Sequence, residues 1–202
     1  MEKNFILNTP PPKKKKGISA ALKKNILIGL AITAGLLLLA ALGFLLYFNA
    51  QFSVYQDAQY KFSIKYPKTW RVLPHPQANV AVIFLRPKDT ALDTLQENFN
   101  LTIQPVPEDI FTLAAFSARI KTQMIAVFGK SIIIVKEKSL HWGWREGHQM
   151  VFEAPKPDDL KMTNAWVLYH NQAYIMTFLG SIEKYPHDSL YIDEMIRSLR
   201  LQ

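Results

Sequence analysis

No cysteine occurs among the 202 residues. That absence removes disulfides, thiolate metal ligands, a cysteine nucleophile and a lipidated cysteine at a lipoprotein cleavage site. Acidic residues are also few, 16 against 24 lysines and arginines, for a formal charge of +8. The surplus is local. Residues 1 to 24 hold seven lysines against Glu2, a net +6, while the other 178 residues hold 17 basic against 15 acidic side chains, a net +2. Without a dense basic stripe in the body of the chain, no nucleic-acid partner is expected. The third absence is the most informative: no charged residue lies between Lys24 and Asp57.

Most of that gap, residues 25–48, reads NILIGLAITAGLLLLAALGFLLYF. At 1.5 Å per residue it spans about 36 Å, enough to cross a hydrocarbon core of about 30 Å with some tilt. A buried helix of a soluble protein would keep a polar face, and this segment has none. Lysines precede the run and uncharged residues follow it, so the positive-inside tendency puts the N-terminus in the cytoplasm and the rest outside. The run exceeds the apolar core of a cleavable signal, and Phe48-Asn49-Ala50 places a bulky residue where cleavage prefers a small one. An uncleaved anchor is expected, in the cell inner membrane, with a periplasmic or equivalent extracytoplasmic domain. Ahead of it TPPPKKKK (residues 9–16) is expected to be an extended, disordered tail, since proline lacks a donor and adjacent lysines repel. The organisation expected is a basic head (1–24), a transmembrane helix (25–48), a tether and first strand region (49–58), and a folded domain (59–202).

Within the domain, YKFSIKYP alternates Tyr60, Phe62, Ile64 and Tyr66 against Lys61, Ser63 and Lys65, the pattern of a strand with one wet side. Val80–Leu85 and Asn98–Val106 read as further strands. The period then changes: Leu113, Phe116, Ile120, Met124 and Val127 recur at helical spacing, with Asp109 or Thr112 as cap and Gly129 as terminator. Strand character resumes at 131–135, Ser139–Trp144, His148–Glu153, and in the pair AWVLYH and AYIMTFL joined at Asn171-Gln172. A helix starting near Pro186 to Ser189 closes the chain with Ile192, Met195, Ile196 and Leu199 in a stripe. The class is therefore α+β, an antiparallel sheet packed by helices.

The order of several pieces resembles a known family. FSIKYPKTW (62–70), ENFNLTIQ (97–104), a helix, a strand, a hairpin centred on Gly147 and a closing helix ending IRSL (196–199) look like the PsbP-like fold, shared with the Ran-binding Mog proteins. The likeness covers roughly residues 53–202, and bacterial PsbP-like domains of unknown function are the nearest comparison. It implies an α/β/α sandwich used mainly for binding or assembly. The family's photosystem and Ran-type activities do not carry over to an exported, anchored domain.

Chemistry-bearing residues concentrate in HWGWREGH (141–148). If Glu146-Gly147 forms a turn, His141 and His148 sit on adjacent strands, and Glu146 or Glu153 could add a third ligand. Yet no H-E-x-x-H or similar spacing is present, and neither a metal nor a cofactor is expected. No G-x-S-x-G elbow marks a serine nucleophile. PKPDD offers Asp158 and Asp159 to a cation, but two carboxylates supply too few oxygens for calcium. Trp142 and Trp144 share a strand face with Leu140, and packing is expected to claim at least one of them. The remaining aromatic, with Arg145 and His148, forms the expected contact surface, because Trp, Tyr and Arg are enriched at interface hot spots. The function expected is a noncatalytic, membrane-anchored binding or assembly module with an envelope protein partner. An envelope hydrolase or an exported small-ligand carrier is the alternative.

Overall fold

Alternation along the strands decides which side of the sheet is buried, and pairing extends that choice across the molecule. The computed structural model describes the backbone of residues 20–202 apart from 92, 111, 130 and 155–158, and side chains from residue 27. The sequence expectations for the 9–16 tail and for Asp158 lie outside the described residues. The chain divides after Ala50 into an N-terminal unit and a unit of Gln51–Gln202.

The N-terminal helix α1 covers Ala20–Ala50. Its stretch Leu27–Ala50 is long and apolar enough to cross a membrane. Its few polar side chains bond within the helix: Thr33 Oγ1 donates to Gly29 O at 2.9 Å and Asn49 Nδ2 to Leu45 O at 2.9 Å. Such internal pairing removes the cost of placing them in an apolar solvent.

The second unit begins with β1 (Phe52–Asp57) and β2 (Phe62–Pro67), an antiparallel pair extended by the short terminal strand β10 (Arg200–Leu201). Tyr60 falls in the turn before β2 rather than in the strand. A larger antiparallel sheet runs in the order β3-β4-β5-β9-β8-β7-β6. Its members are β3 (Arg71–Gln77), β4 (Val80–Leu85), β5 (Asn98–Pro105), β6 (Ile133–Trp142), β7 (Arg145–Ala154), β8 (Leu160–Tyr169) and β9 (Gln172–Ser181). The two strands expected at 131–135 and Ser139–Trp144 are thus one continuous β6. The β8–β9 turn is His170-Asn171, both at positive φ (49° and 58°), one residue earlier than expected. That conformation suits a two-residue hairpin of the I′ kind.

One face of the large sheet carries Met150, Phe152, Met162 and Trp166, which pack against Phe116 and Ile120 of α2 (Leu113–Phe128). Thr112 caps α2, its side chain accepting from Ala115 N–H at 3.1 Å, and Gly129 ends it with φ of 75°. Trp166 Nε1 donates to Ser117 Oγ at 3.2 Å, so this fully buried indole keeps its polar partner. The opposite face carries Phe99, Leu101, Met176, Phe178 and Val167, all fully buried beneath α3 (Tyr185–Ser198) and the small sheet. Ile192, Met195 and Ile196 of α3 are the facing side chains, each worth about 1.5–3 kcal/mol on burial. The result is an α/β/α sandwich.

The large sheet is open at both edges. β3 carries Pro74 and Pro76, which have no amide donor to offer a further strand. At the other edge β6 carries Lys136 and Lys138, but Ile133, Ile134 and Val135 stand exposed at its start.

Candidate functional site

The octet HWGWREGH folds as the tip of the β6–β7 hairpin, with Trp142 opposite Arg145 and His141 opposite Glu146. Its turn is therefore Gly143-Trp144, and the expected turn at Glu146-Gly147 is corrected. Gly143 has φ of 65°, the conformation the first position of a II′ hairpin turn demands. Gly147 lies inside β7, where a Cβ would collide with the Trp142 ring and with the Trp166 carbonyl oxygen. One glycine makes the turn; the other makes room for an indole.

The four expected contact residues separate. Trp142 is 6% exposed, and its Nε1 donates to Ile196 O at 2.7 Å, tying the hairpin to α3. Trp144, two residues on, is 80% exposed. Arg145 joins Trp144 at the surface: its guanidinium lies 4.6 Å from the Trp144 ring centre and 4.1 Å from that of Tyr169. Sandwiching between aromatic faces orients the cation without spending its hydrogen-bond donors. Its Nε is buried and has no hydrogen-bond partner among the described residues. Below the tip, Arg145, Arg197 and Arg200 line a hollow of about 500 Å³ with His141. His148 belongs elsewhere. It projects toward α2, its Nε2 2.9 Å from Glu137 Oε1, and Lys121 holds the other oxygen at 2.8 Å. Lys121 first, and His148 after it, hold Glu137 below its ordinary range. The structure thus brings Trp144 and Arg145 together, sends Trp142 to the core and puts His148 on the other side of the sheet. Among the described residues no group of three or more His, Asp or Glu side chains is placed to hold a metal.

A second cluster lies at the opposite end of α3. Arg86, just after β4, reaches Asp188 with Nε (3.0 Å) and Asp89 with Nη1 (2.7 Å). Lys184 reaches Asp93 at 2.9 Å, Asp89 at 3.1 Å and the buried Glu97 at 3.4 Å. Both Glu97 oxygens and Asp188 Oδ2 are buried with no hydrogen-bond partner among the described residues, so the cations approach Glu97 as charges and not as bonded donors. Burial pushes Asp188 above the usual carboxylate range despite Arg86 pulling it down, whereas Lys184 holds Asp93 down at about 2. Ser181 and Lys184 have the S-x-x-K spacing, but Ser181 Oγ accepts from the Lys184 backbone N–H at 3.2 Å and the ammonium is committed to carboxylates. That pair is a helix-entry bond, not a nucleophile and base.

No protein-family model matches the chain, and no curated protein matches it in sequence. Solved structures do match in fold. The PsbP protein of the cyanobacterium Synechocystis, CyanoP, superposes with a TM-score of 0.58 at 13% identity, covering 76% of this chain and 94% of its own. The Ran-binding protein Mog1p of Saccharomyces cerevisiae gives 0.53 at 8% identity, over 74% and 95% of the two chains. LpqN of Mycobacterium tuberculosis, involved in cell envelope biogenesis, gives 0.50 at 8% identity, over 74% and 89%. The chain has the PsbP-like fold. Identities this low carry the architecture of the PsbP-like domain and nothing of its chemistry.

The carboxylate cluster of this PsbP-like domain escaped sequence reading because Arg86 and Asp188 stand 102 residues apart. Glu97 was visible only as the first residue of ENFNLTIQ. The one local signal was an acidic residue opening a strand whose other polar residues alternate outward.

Proposed function

We propose that the chain is a membrane-anchored envelope module that binds a partner protein through the tip of its β6–β7 hairpin. The observation that carries this reading is the pairing of Trp144, an indole exposed at a hairpin end, with Arg145 held between two aromatic rings above the Arg197 and Arg200 hollow. An exposed aromatic beside an oriented arginine is the composition of an interface hot spot. The surplus of guanidinium groups selects a partner that offers carboxylates around an apolar socket.

The apolar helix Leu27–Ala50 supports an anchor, and lysines before it support a cytoplasmic head with the PsbP-like domain outside the inner membrane. LpqN, a fold neighbour, is described by its involvement in envelope biogenesis, and Mog1p by binding a protein, Ran. An anchor also raises the concentration of the domain near membrane neighbours. No part of the reading requires catalysis.

Affinity capture from membranes with the full chain tests the contact surface. Trp144→Ala and Arg145→Ala should each lower recovery of the captured partner about tenfold, as hot-spot truncation does. Unchanged recovery in both variants sinks the hairpin reading. Protease added outside spheroplasts should digest residues 51–202, and a protected domain would reverse the topology.

A further inference from the structure

Gln51, Lys68, Trp70, Arg86, Asp188 and Tyr191 line a cleft of about 420 Å³ between the β2–β3 turn, the segment after β4 and α3. One carboxylate oxygen and one ammonium in it are left over. Asp188 is 4% exposed, and its Oδ2 has no hydrogen-bond partner, while Oδ1 is taken by Arg86. The Lys68 ammonium, exposed on the turn, has no hydrogen-bond or ion-pair partner among the described residues. A buried carboxylate oxygen without a donor costs stability unless something supplies one. A lone anion in the cleft would meet Asp188 and Asp89; a lone cation would meet Lys68 and Arg86. A molecule carrying both charges satisfies both walls at once.

The source of such a molecule follows from the chain. Gln51 is the next residue after Ala50, where α1 ends, and it is fixed in this cleft: Lys68 N–H donates to Gln51 O at 2.8 Å and Tyr191 Oη to Gln51 Oε1 at 3.3 Å. We infer that the cleft holds the headgroup of a zwitterionic phospholipid bearing a primary ammonium, its phosphate on Lys68 and its ammonium on the unpaired oxygen of Asp188. The inference rests on the reading that α1 lies in the membrane. A primary ammonium is chosen over a quaternary one because Asp188 Oδ2 needs an N–H donor, which trimethylammonium lacks. Burial already holds the Asp188 carboxyl high, and a bound ammonium would supply the counter-charge that Arg86 leaves incomplete.

Native mass spectrometry of the full chain in mild detergent tests this, with equimolar phosphatidylethanolamine, phosphatidylcholine and phosphatidylglycerol of identical acyl chains. One phosphatidylethanolamine should be retained, preferred about tenfold or more, the ratio one charge-assisted hydrogen bond supplies. Asp188→Asn should abolish the preference. Lys68→Ala, on an exposed turn and expected to leave circular dichroism unchanged, should weaken retention by a similar factor. Soluble glycerophosphoethanolamine should compete at least tenfold less well. Equal retention of the three lipids, or wild-type retention by Lys68→Ala, overturns the site. Competition by the soluble headgroup as strong as by the lipid overturns the membrane as its source. The protease result on topology is independent: a correctly anchored chain indifferent to headgroups loses the cleft and keeps the module.

Discussion

Helix α3 joins two ends of the domain that handle charge in opposite ways. At its C-terminal end the hairpin tip divides labour between residues: Trp142 and Gly147 pack, while Trp144 and Arg145 lie at the surface of the turn. At its N-terminal end the same residues do both jobs, since Asp188 and Arg86 are ion-paired to each other and also line the cleft, with Lys184 and the buried Glu97 extending the charge cluster. The ends also suit the helix itself, with Asp188 in the first turn and Arg197 in the last, where the macrodipole favours each sign. The difference has a practical meaning. Contact and stability can be mutated separately at the hairpin, and cannot be at the carboxylate cluster.

Substitutions can break that contrast. Trp142→Ala should cost about 3–5 kcal/mol, the range for emptying a buried aromatic site, and it also leaves Ile196 O with only the longer bond from Leu199 N–H. Chemical denaturation of the full chain in detergent, followed by circular dichroism, reads this; a loss below 1 kcal/mol would contradict the packing described, given about 3–5 expected. Arg86→Met should cost about 3 kcal/mol in the same assay, because it leaves Asp188 buried without its counter-charge and Glu97 with Lys184 alone. Gly147→Ala should cost about 1–3 kcal/mol by forcing the Trp142 ring aside and meeting the Trp166 carbonyl oxygen, and a Trp142→Ala background should relieve only the part due to the ring.

A smaller effect sharpens the electrostatic half. Lys184 holds Asp93 down at about 2, and with Arg86 it holds Asp89 low. A depressed carboxylate stabilises the fold above its unfolded value, near 4, and loses that contribution as pH falls toward its folded value. Asp188, held high, has the opposite sign and favours the fold when protonated. Lys184→Met should therefore flatten the fall of melting temperature between about pH 4 and pH 2. An acid limb as steep as wild type would remove Lys184 from the account. Smallest of all, Trp144→Ala should change stability by less than about 0.5 kcal/mol, as surface changes do, while removing the contact surface.

The sequence disclosed what local period controls. Alternation in FSIKYP and FNLTIQ, the three-and-four spacing of α2 and the uncharged run before Gln51 each have their cause within a few residues. What it hid has causes at long range. β3 has no alternation to read, since Pro74 and Pro76 interrupt it, though an edge strand tolerates both. The turn was placed at Gly147 because two glycines compete in one octet, and only the packed indole of Trp142 shows that the second is there for space. Trp142 and Trp144 were given one face since strict alternation was assumed through a turn that interrupts it. The carboxylate cluster has no single spacing to read, because its members come from the segment between β4 and β5 and from the start of α3 with the residue before it.

The unguarded start of β6 bears on life at a surface. Confinement to a membrane concentrates copies in two dimensions, and an edge strand beginning Ile133-Ile134-Val135 is the place where neighbouring domains would first stitch together. Lys136 and Lys138 follow immediately, and their mutual repulsion across a growing seam keeps the encounter brief. In a chain anchored as proposed, Lys136 and Lys138 are thus the charges on β6 that oppose edge-to-edge pairing.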